Sequence, residues 1–250
     1  MNWNKAVLKL ILLIFVIILL LLIIFIFNPR KRLSLIEASN TINPYSSCLL
    51  MQKTTNYPTC KAGSGEVSAI VLGDSYGNSL FTAVATTNIR GATLQWTYAG
   101  CFAGYKTKNA GYEGCRKFIK DKLQALKKYP GIPVIFINQM ATADTNDELK
   151  ENINFYKNII CSISKQNPIY VVKKTPSMGV NVLKYLALMD RDYSISIEDY
   201  KKQAVTISPI LNVLDTDCNA VILDPTPFLC KQGKCLGSKN KNPYIMIRVI

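Results

Sequence analysis

The longest apolar stretch, residues 10–27 (LILLIFVIILLLLIIFIF), runs for eighteen side chains without a polar one, about 27 Å if helical. That length predicts a membrane-spanning helix. A cleaved signal peptide is the competing reading, with Lys5 and Lys9 as its basic start. Its apolar region is usually about 7–15 residues, and no small-x-small cleavage site precedes Asn28-Pro29. Residues 1–27 are therefore expected to be an uncleaved anchor. Residues 28–65, rich in Pro, Ser, Thr and Asn, are expected to be a connector.

Past residue 65 the pattern changes. Residues 66–72 (EVSAIVL) end in Gly73 and predict a buried strand. Residues 75–87 predict a helix with Leu80, Val84 and Thr87 on one face, and 92–98 (ATLQWTY) alternate like a strand. A helix over 116–129 aligns Phe118, Ile119, Leu123 and Leu126 and stops at Pro130-Gly131. Residues 132–137 (IPVIFI) predict the third strand. Thr145-x-x-Glu148 is a capping box opening a helix to about Ser164, with Leu149, Ile153, Tyr156 and Ile160 inward. A fourth strand follows over 168–172, helices over 179–190 and 196–214, and a fifth strand over 220–223, running into Asp224-Pro225.

Strands and helices alternating at this spacing favour parallel βαβ units. The expected fold class is α/β: a three-layer α/β/α sandwich with a parallel, flavodoxin-like sheet over 66–250, plus one N-terminal transmembrane helix. Ligands in such sheets sit beyond the carboxyl ends of the strands. The segments falling there are Gly73-Asp74-Ser75, 98–101 (YAGC), Asn138-Gln139-Met140 and Asp224-Pro225-Thr226.

Composition changes the picture in three ways. With 49% hydrophobic and 10% aromatic residues, a packed core can form. Eight cysteines, all in the body, point to disulfides and an oxidising compartment. Zinc is the other use of cysteine, but there is no Cys-x-x-Cys and no histidine. The expected pairs are Cys48–Cys60, Cys101–Cys115 and Cys230–Cys235, which bracket loops, and Cys161–Cys218, whose elements adjacent sheet positions bring together. The cysteines also decide orientation. Arg30, Lys31 and Arg32 outnumber Lys5 and Lys9, which alone would keep the body in the cytoplasm; the eight cysteines outweigh that count, and the body is expected to face outward. Third, the net charge of +14 comes from dispersed lysines such as Lys106, Lys108, Lys127, Lys128, Lys173, Lys174, Lys201 and Lys202. These read as solvated side chains facing an anionic cell envelope, not as a nucleic-acid surface. No metal and no organic cofactor is expected.

Chemistry concentrates on the strand ends. Ser75, where a buried strand turns into a helix, exposes its hydroxyl near N–H groups that favour a developing oxyanion. It is a candidate nucleophile, and the plainer reading is that Asp74 or Ser75 caps the helix. Gly100 can bring its N–H close to a substrate oxygen, or serve as a turn glycine beside a disulfide. Asn138 can donate its side-chain amide to the same oxygen, or stabilise a turn.

These positions resemble the SGNH hydrolase/acyltransferase superfamily, whose blocks are Gly-Asp-Ser, a Gly, an Asn and a terminal Asp-x-x-His. The resemblance extends to the extracytoplasmic SGNH domain at the C-terminus of membrane acyltransferase-3 proteins. It rests on VLGDSYGNSL (71–80), AGC (99–101) with Cys115, INQM (137–140) and VILDPTPFLC-x4-C (221–235). It implies a periplasmic, inner-membrane-anchored O-acyltransferase or esterase that modifies exported cell-envelope glycans through a Ser75 acyl-enzyme. Asp74 would set the turn, and Ser75, Gly100 and Asn138 would form the oxyanion hole. A multi-spanning acyltransferase partner would supply the acyl group.

Two departures stand out. Tyr76 occupies the place where the family has His after Gly-Asp-Ser, and no Asp-x-x-His follows Cys235 before Ile250. The domain is thus expected to be truncated, by a shifted reading frame, a split gene or true loss of the base. A serine without a general base is a poor nucleophile, so a catalytically incomplete, glycan-binding pseudoenzyme is the alternative. Asp217 and Asp224 are the carboxylates that could approach Ser75.

Overall fold

The computed structural model describes residues 14–18, 45–50, 59–102, 104, 113–140, 143–180, 182–189, 191–240 and 242–243. The chain divides into two compact units, Met1–Ile42 and Asn43–Ile250. In the first, only residues 14–18 of the long apolar run are described; they are helical with exposed side chains. The remainder of the expected anchor lies outside the described residues, among which no helix is long and apolar enough to cross a membrane.

The second unit is an α/β fold around a mostly parallel seven-stranded sheet. In chain order its elements begin with β1 (Leu49–Leu50), β2 (Cys60–Ala62), β3 (Val67–Gly73), α1 (Ser75–Thr87), β4 (Ala92–Tyr98), α2 (Glu113–Leu126) and β5 (Val134–Ile137). They continue with α3 (Asn146–Ser164), β6 (Ile169–Val172), α4 (Val182–Met189), β7 (Ser194–Ser196), α5 (Ile197–Ala204), α6 (Ser208–Cys218) and β8 (Val221–Leu223). Last come α7 (Thr226–Leu229), β9 (Cys230–Lys231), β10 (Lys234–Leu236), β11 (Ser238–Lys239) and β12 (Asn242–Pro243).

The strand order is β1-β4-β3-β5-β6-β8, with β2 antiparallel on β4. Part of the expected connector, 28–65, therefore belongs to the sheet: β1 and β2 both extend it at β4. Periodicity could not reveal them, because strands of two and three residues carry no pattern. The pleat of the long strands sorts side chains to two faces. Ile70, Leu72, Val134, Phe136, Ile169 and Val171 pack with Phe118 of α2, Tyr156 and Ile160 of α3, and Leu214 of α6. Val71 and Ile137 pack on the other side with Tyr76 and Phe81 of α1. There β4 presents buried polar residues, and α1 answers them. Asn88 Nδ2 donates to Thr93 Oγ1 (2.8 Å), and Gln95 Nε2 donates to Asn78 Oδ1 (2.6 Å).

Helix ends follow local rules. Thr145 caps α3, its Oγ1 accepting from Glu148 N–H at 3.2 Å. The single helix expected over 196–214 is instead two, α5 and α6, with Ile207 as N-cap and Pro209 in the first turn of the second. Pro209 has no N–H to give Val205 and its ring crowds that carbonyl, so the first helix ends and a new one starts. A second sheet, β7-β10-β9, flanks α5. Disulfides join Cys48–Cys60, Cys101–Cys115, Cys161–Cys218 and Cys230–Cys235.

Candidate active site

One register row crosses the carboxyl edge of the five parallel strands that follow β2: Thr97, Gly73, Ile137, Val172 and Leu223, in spatial order. The candidate residues are counted outward from it. Gly100 lies three residues beyond the row on β4, Ser75 two beyond on β3, and Asn138 one beyond on β5. Three segments separated in sequence thus meet at neighbouring strand ends.

The turn from β3 into α1 has no slack. A Cβ on Gly73 would overlap the Ile137 carbonyl oxygen and lie 2.9 Å from its carbon. At Gly77, one turn into α1, a Cβ would meet Thr97 Cγ2 at 3.2 Å. The two glycines let the first turn of the helix seat against β4 and β5, with Ser75 at its first position.

Asp74 is the N-cap of α1. Its Oδ1 accepts from Tyr76 N–H at 2.8 Å, and its Oδ2 accepts from Gln139 N–H at 3.0 Å. The plainer reading of Asp74 from sequence holds, with an addition: the carboxylate also ties the loop after β5 to the start of α1. It is 5% exposed, and burial pushes its pKa up to about 6, partly offset by the backbone N–H groups of Gln139, Tyr76 and Gly77. A folded-state pKa above the unfolded 3.8 means that the native state holds its proton longer. Stability from this group is therefore full below about pH 4 and lost as pH rises through 6, by about 3 kcal/mol. Urea unfolding midpoints of wild type and Asp74→Asn across that window should diverge with this sign; parallel curves would refute it.

The other two candidates differ from each other. Gly100 has φ +67° in a turn closed by Cys101 N–H donating to Tyr98 O at 3.1 Å. This is the turn glycine beside a disulfide, and its own N–H has no hydrogen-bond partner among the described residues. Asn138 is buried, and its Nδ2 donates to Phe102 O (3.4 Å) and Tyr156 Oη (3.5 Å). Tyr156 Oη in turn donates to Phe102 O at 2.7 Å. Both Asn138 contacts lie at the long limit of hydrogen bonding, so turning the amide toward a substrate oxygen forfeits little. Its Oδ1 is buried without a partner among the described residues. Sequence reading placed Tyr156 in the core by its helical spacing but gave no sign of its link to Asn138.

Neither candidate carboxylate is free for Ser75. Asp224 pairs with Lys173 at 2.9 Å. Asp217 pairs with Lys157 at 2.6 Å on the last turn of α6, a helix that leads into β8 and so lies toward the opposite edge of the sheet. One lysine expected in solvent is not there: Lys174 is only 8% exposed, and burial pulls its pKa down. Among the described residues, no group of three or more His, Cys, Asp or Glu is placed to hold a metal ion.

Comparison with known proteins adds two findings. The periplasmic domain of the lipopolysaccharide acetyltransferase of Salmonella ser. Paratyphi A superposes with a TM-score of 0.51 at 12% identity, over 72% of this chain and 75% of that one. At that identity the likeness is one of fold. No curated protein matches the chain. The family model described as SGNH domain (fused to AT3 domains) matches residues 47–246, which takes in every strand-end residue described above, and the chain belongs to that family.

Proposed function

We propose that the chain is an O-acyltransferase or esterase that works through an acyl group carried on Ser75, as the body of an inner-membrane-anchored protein facing the periplasm. Its substrate would be a hydroxyl of an exported cell-envelope glycan, and its acyl group would come from a multi-spanning acyltransferase partner. The observation that carries this reading is the placing of Ser75. It stands at the first position of α1, where backbone N–H groups lack helical partners, one strand from the Gly100 N–H, which has no partner among the described residues. A nucleophile and donors for the oxyanion thus share one strand edge. Family membership and the disulfides, which fit an extracytoplasmic body, support it.

In the first half-reaction the Ser75 oxygen attacks the acyl carbonyl, its proton passes to a base, and the donor leaves with a proton. In the second, a glycan hydroxyl takes the acyl group and the proton returns to Ser75. Asp74 holds the turn, both its carboxylate oxygens accepting from backbone N–H groups. A second reading, a glycan-binding pseudoenzyme, is favoured by the absence of histidine and by the Asn138 amide lying on Phe102 and Tyr156.

The test is to trap the intermediate. Purified chain mixed with p-nitrophenyl acetate and quenched in acid should show an acetyl adduct on the peptide containing Ser75, absent from Ser75→Ala. Ester turnover should fall to the uncatalysed rate in that variant. No adduct in wild type, together with unchanged binding of envelope glycan, would favour the pseudoenzyme.

A further inference from the structure

Lys174 is the feature of the carboxyl edge that the fold does not explain. Burying an ammonium without an opposite charge costs several kcal/mol, and a methionine of similar shape would avoid it. The Lys174 ammonium has no hydrogen-bond or ion-pair partner among the described residues. The carboxylate nearest in the topology, Asp224, is held by Lys173. Tyr200 of α5 faces the segment too, but its Oη donates to the Lys174 carbonyl at 3.0 Å and accepts from Thr226 Oγ1, so it holds the backbone and leaves the ammonium alone. Asp74, across β5, is engaged by backbone N–H groups. The next residue is also unpaired: Thr175 Oγ1 is buried with no partner among the described residues. A mostly buried lysine followed by a buried hydroxyl with no partner among the described residues, both at a strand end, marks a place reserved for something other than packing.

Register says where that place is. Gly73, Ile137 and Val172 lie in one row across β3, β5 and β6. Ser75 and Lys174 each stand two residues beyond it, after strands separated only by β5, whose row residues Gly73 and Val172 lie about 10 Å apart by strand spacing. A lysine stem of four carbons is long enough to cross most of an interval of that size. Asn138 ends the strand between them.

We propose that Lys174 accepts the Ser75 hydroxyl proton, filling in this histidine-free chain the role of general base. The inference rests on Ser75 being the nucleophile. A neutral Lys174 amine takes the proton as the Ser75 oxygen bonds to the acyl carbon. The resulting ammonium returns it to the leaving oxygen when the bond to the donor breaks. In the second half-reaction the amine takes the proton of the acceptor hydroxyl, and the ammonium gives it to Ser75 as the acyl–serine bond breaks. Protons balance, and no further reactant is needed. Serine with lysine is a known form of the activated nucleophile. Burial favours the neutral amine the role requires.

The experiment follows Ser75 modification by a fluorophosphonate, read by intact mass from about pH 6 to about pH 10, in wild type, Lys174→Met, Lys174→Arg and Ser75→Ala. The wild-type rate should rise with pH through an inflection below the ordinary lysine value of about 10.4. Both Lys174 variants should react about 10²–10⁴-fold more slowly and lose the inflection. Arginine keeps the charge but cannot give up its proton, so rescue by Lys174→Arg would mean a purely electrostatic role and overturn the proposal. So would wild-type kinetics in Lys174→Met with Ser75→Ala inert, which would leave the nucleophile standing. An adduct that persists in Ser75→Ala, or no adduct in wild type, would remove the acyl-enzyme reading and this one with it. If a variant fails to fold, the wild-type profile decides alone, since a pH-independent rate excludes a titrating base.

Discussion

Gly73→Ala should leave a chain that either fails to fold or loses the β3–α1 turn that places Ser75. The added methyl would overlap the Ile137 carbonyl oxygen and sit 2.9 Å from the carbonyl carbon, both backbone atoms of the central strand β5. Backbone there cannot move without opening the β3–β5 ladder, whose last pair is Gly73 with Ile137. We expect a loss of about 4 kcal/mol or more, beyond the usual range for one substitution, read as the shift of the urea midpoint. Gly77→Ala is the contrast. Its methyl would meet Ile137 O at 3.0 Å and the Thr97 methyl at 3.2 Å, tight but adjustable, and it regains up to about 1 kcal/mol of helix propensity. A Gly73→Ala midpoint close to wild type would refute the account of how Ser75 is positioned.

The strands around that glycine were legible because each is long enough to show its period. Residues 92–98 form β4 and 75–87 form α1 with the expected bounds. Residues 66–72 and 132–137 become β3 (Val67–Gly73) and β5 (Val134–Ile137), shifted by a residue or two where the ladder starts. The candidate residues were found as punctuation after those strands. What stayed hidden depends on long-range cover. Lys174 follows Lys173 in sequence, and two adjacent lysines read as solvent-facing. Yet Lys173 N–H still pairs with Leu223 O, continuing the ladder past β6. The pleat therefore separates the pair: the Lys173 ammonium lies between Asp224 and the Tyr200 ring, while the Lys174 side chain is buried. No local pattern announces that burial, because the contact to Lys174 from α5, Tyr200 Oη on its carbonyl, comes from twenty-six residues further along the chain. The Asn138–Phe102–Tyr156 contact was hidden for the same reason: Tyr156 lies eighteen residues from Asn138, on a different element.

Of the four bridges, Cys161–Cys218 should matter most to stability. It closes a separation of 57 residues, against 5 for Cys230–Cys235, 12 for Cys48–Cys60 and 14 for Cys101–Cys115. If a bridge acts mainly by restricting the unfolded chain, removing the longest loop costs about 4 kcal/mol and the shortest about 2. Against a typical total of about 5–15 kcal/mol, the first is a large share. The double variant Cys161→Ala/Cys218→Ala should therefore unfold at markedly lower urea than Cys230→Ala/Cys235→Ala, measured without reductant. Equal midpoints would sink the ranking, and free thiols in wild type by non-reducing peptide mapping would sink its premise. The bridge also bears on the site. Cys161 sits on α3 five residues after Tyr156, whose hydroxyl meets Asn138, and Cys218 ends α6 against the same face of the sheet. Opening it loosens the helix that backs Asn138. A chain kept reduced should thus lose the Asn138–Tyr156 contact along with stability.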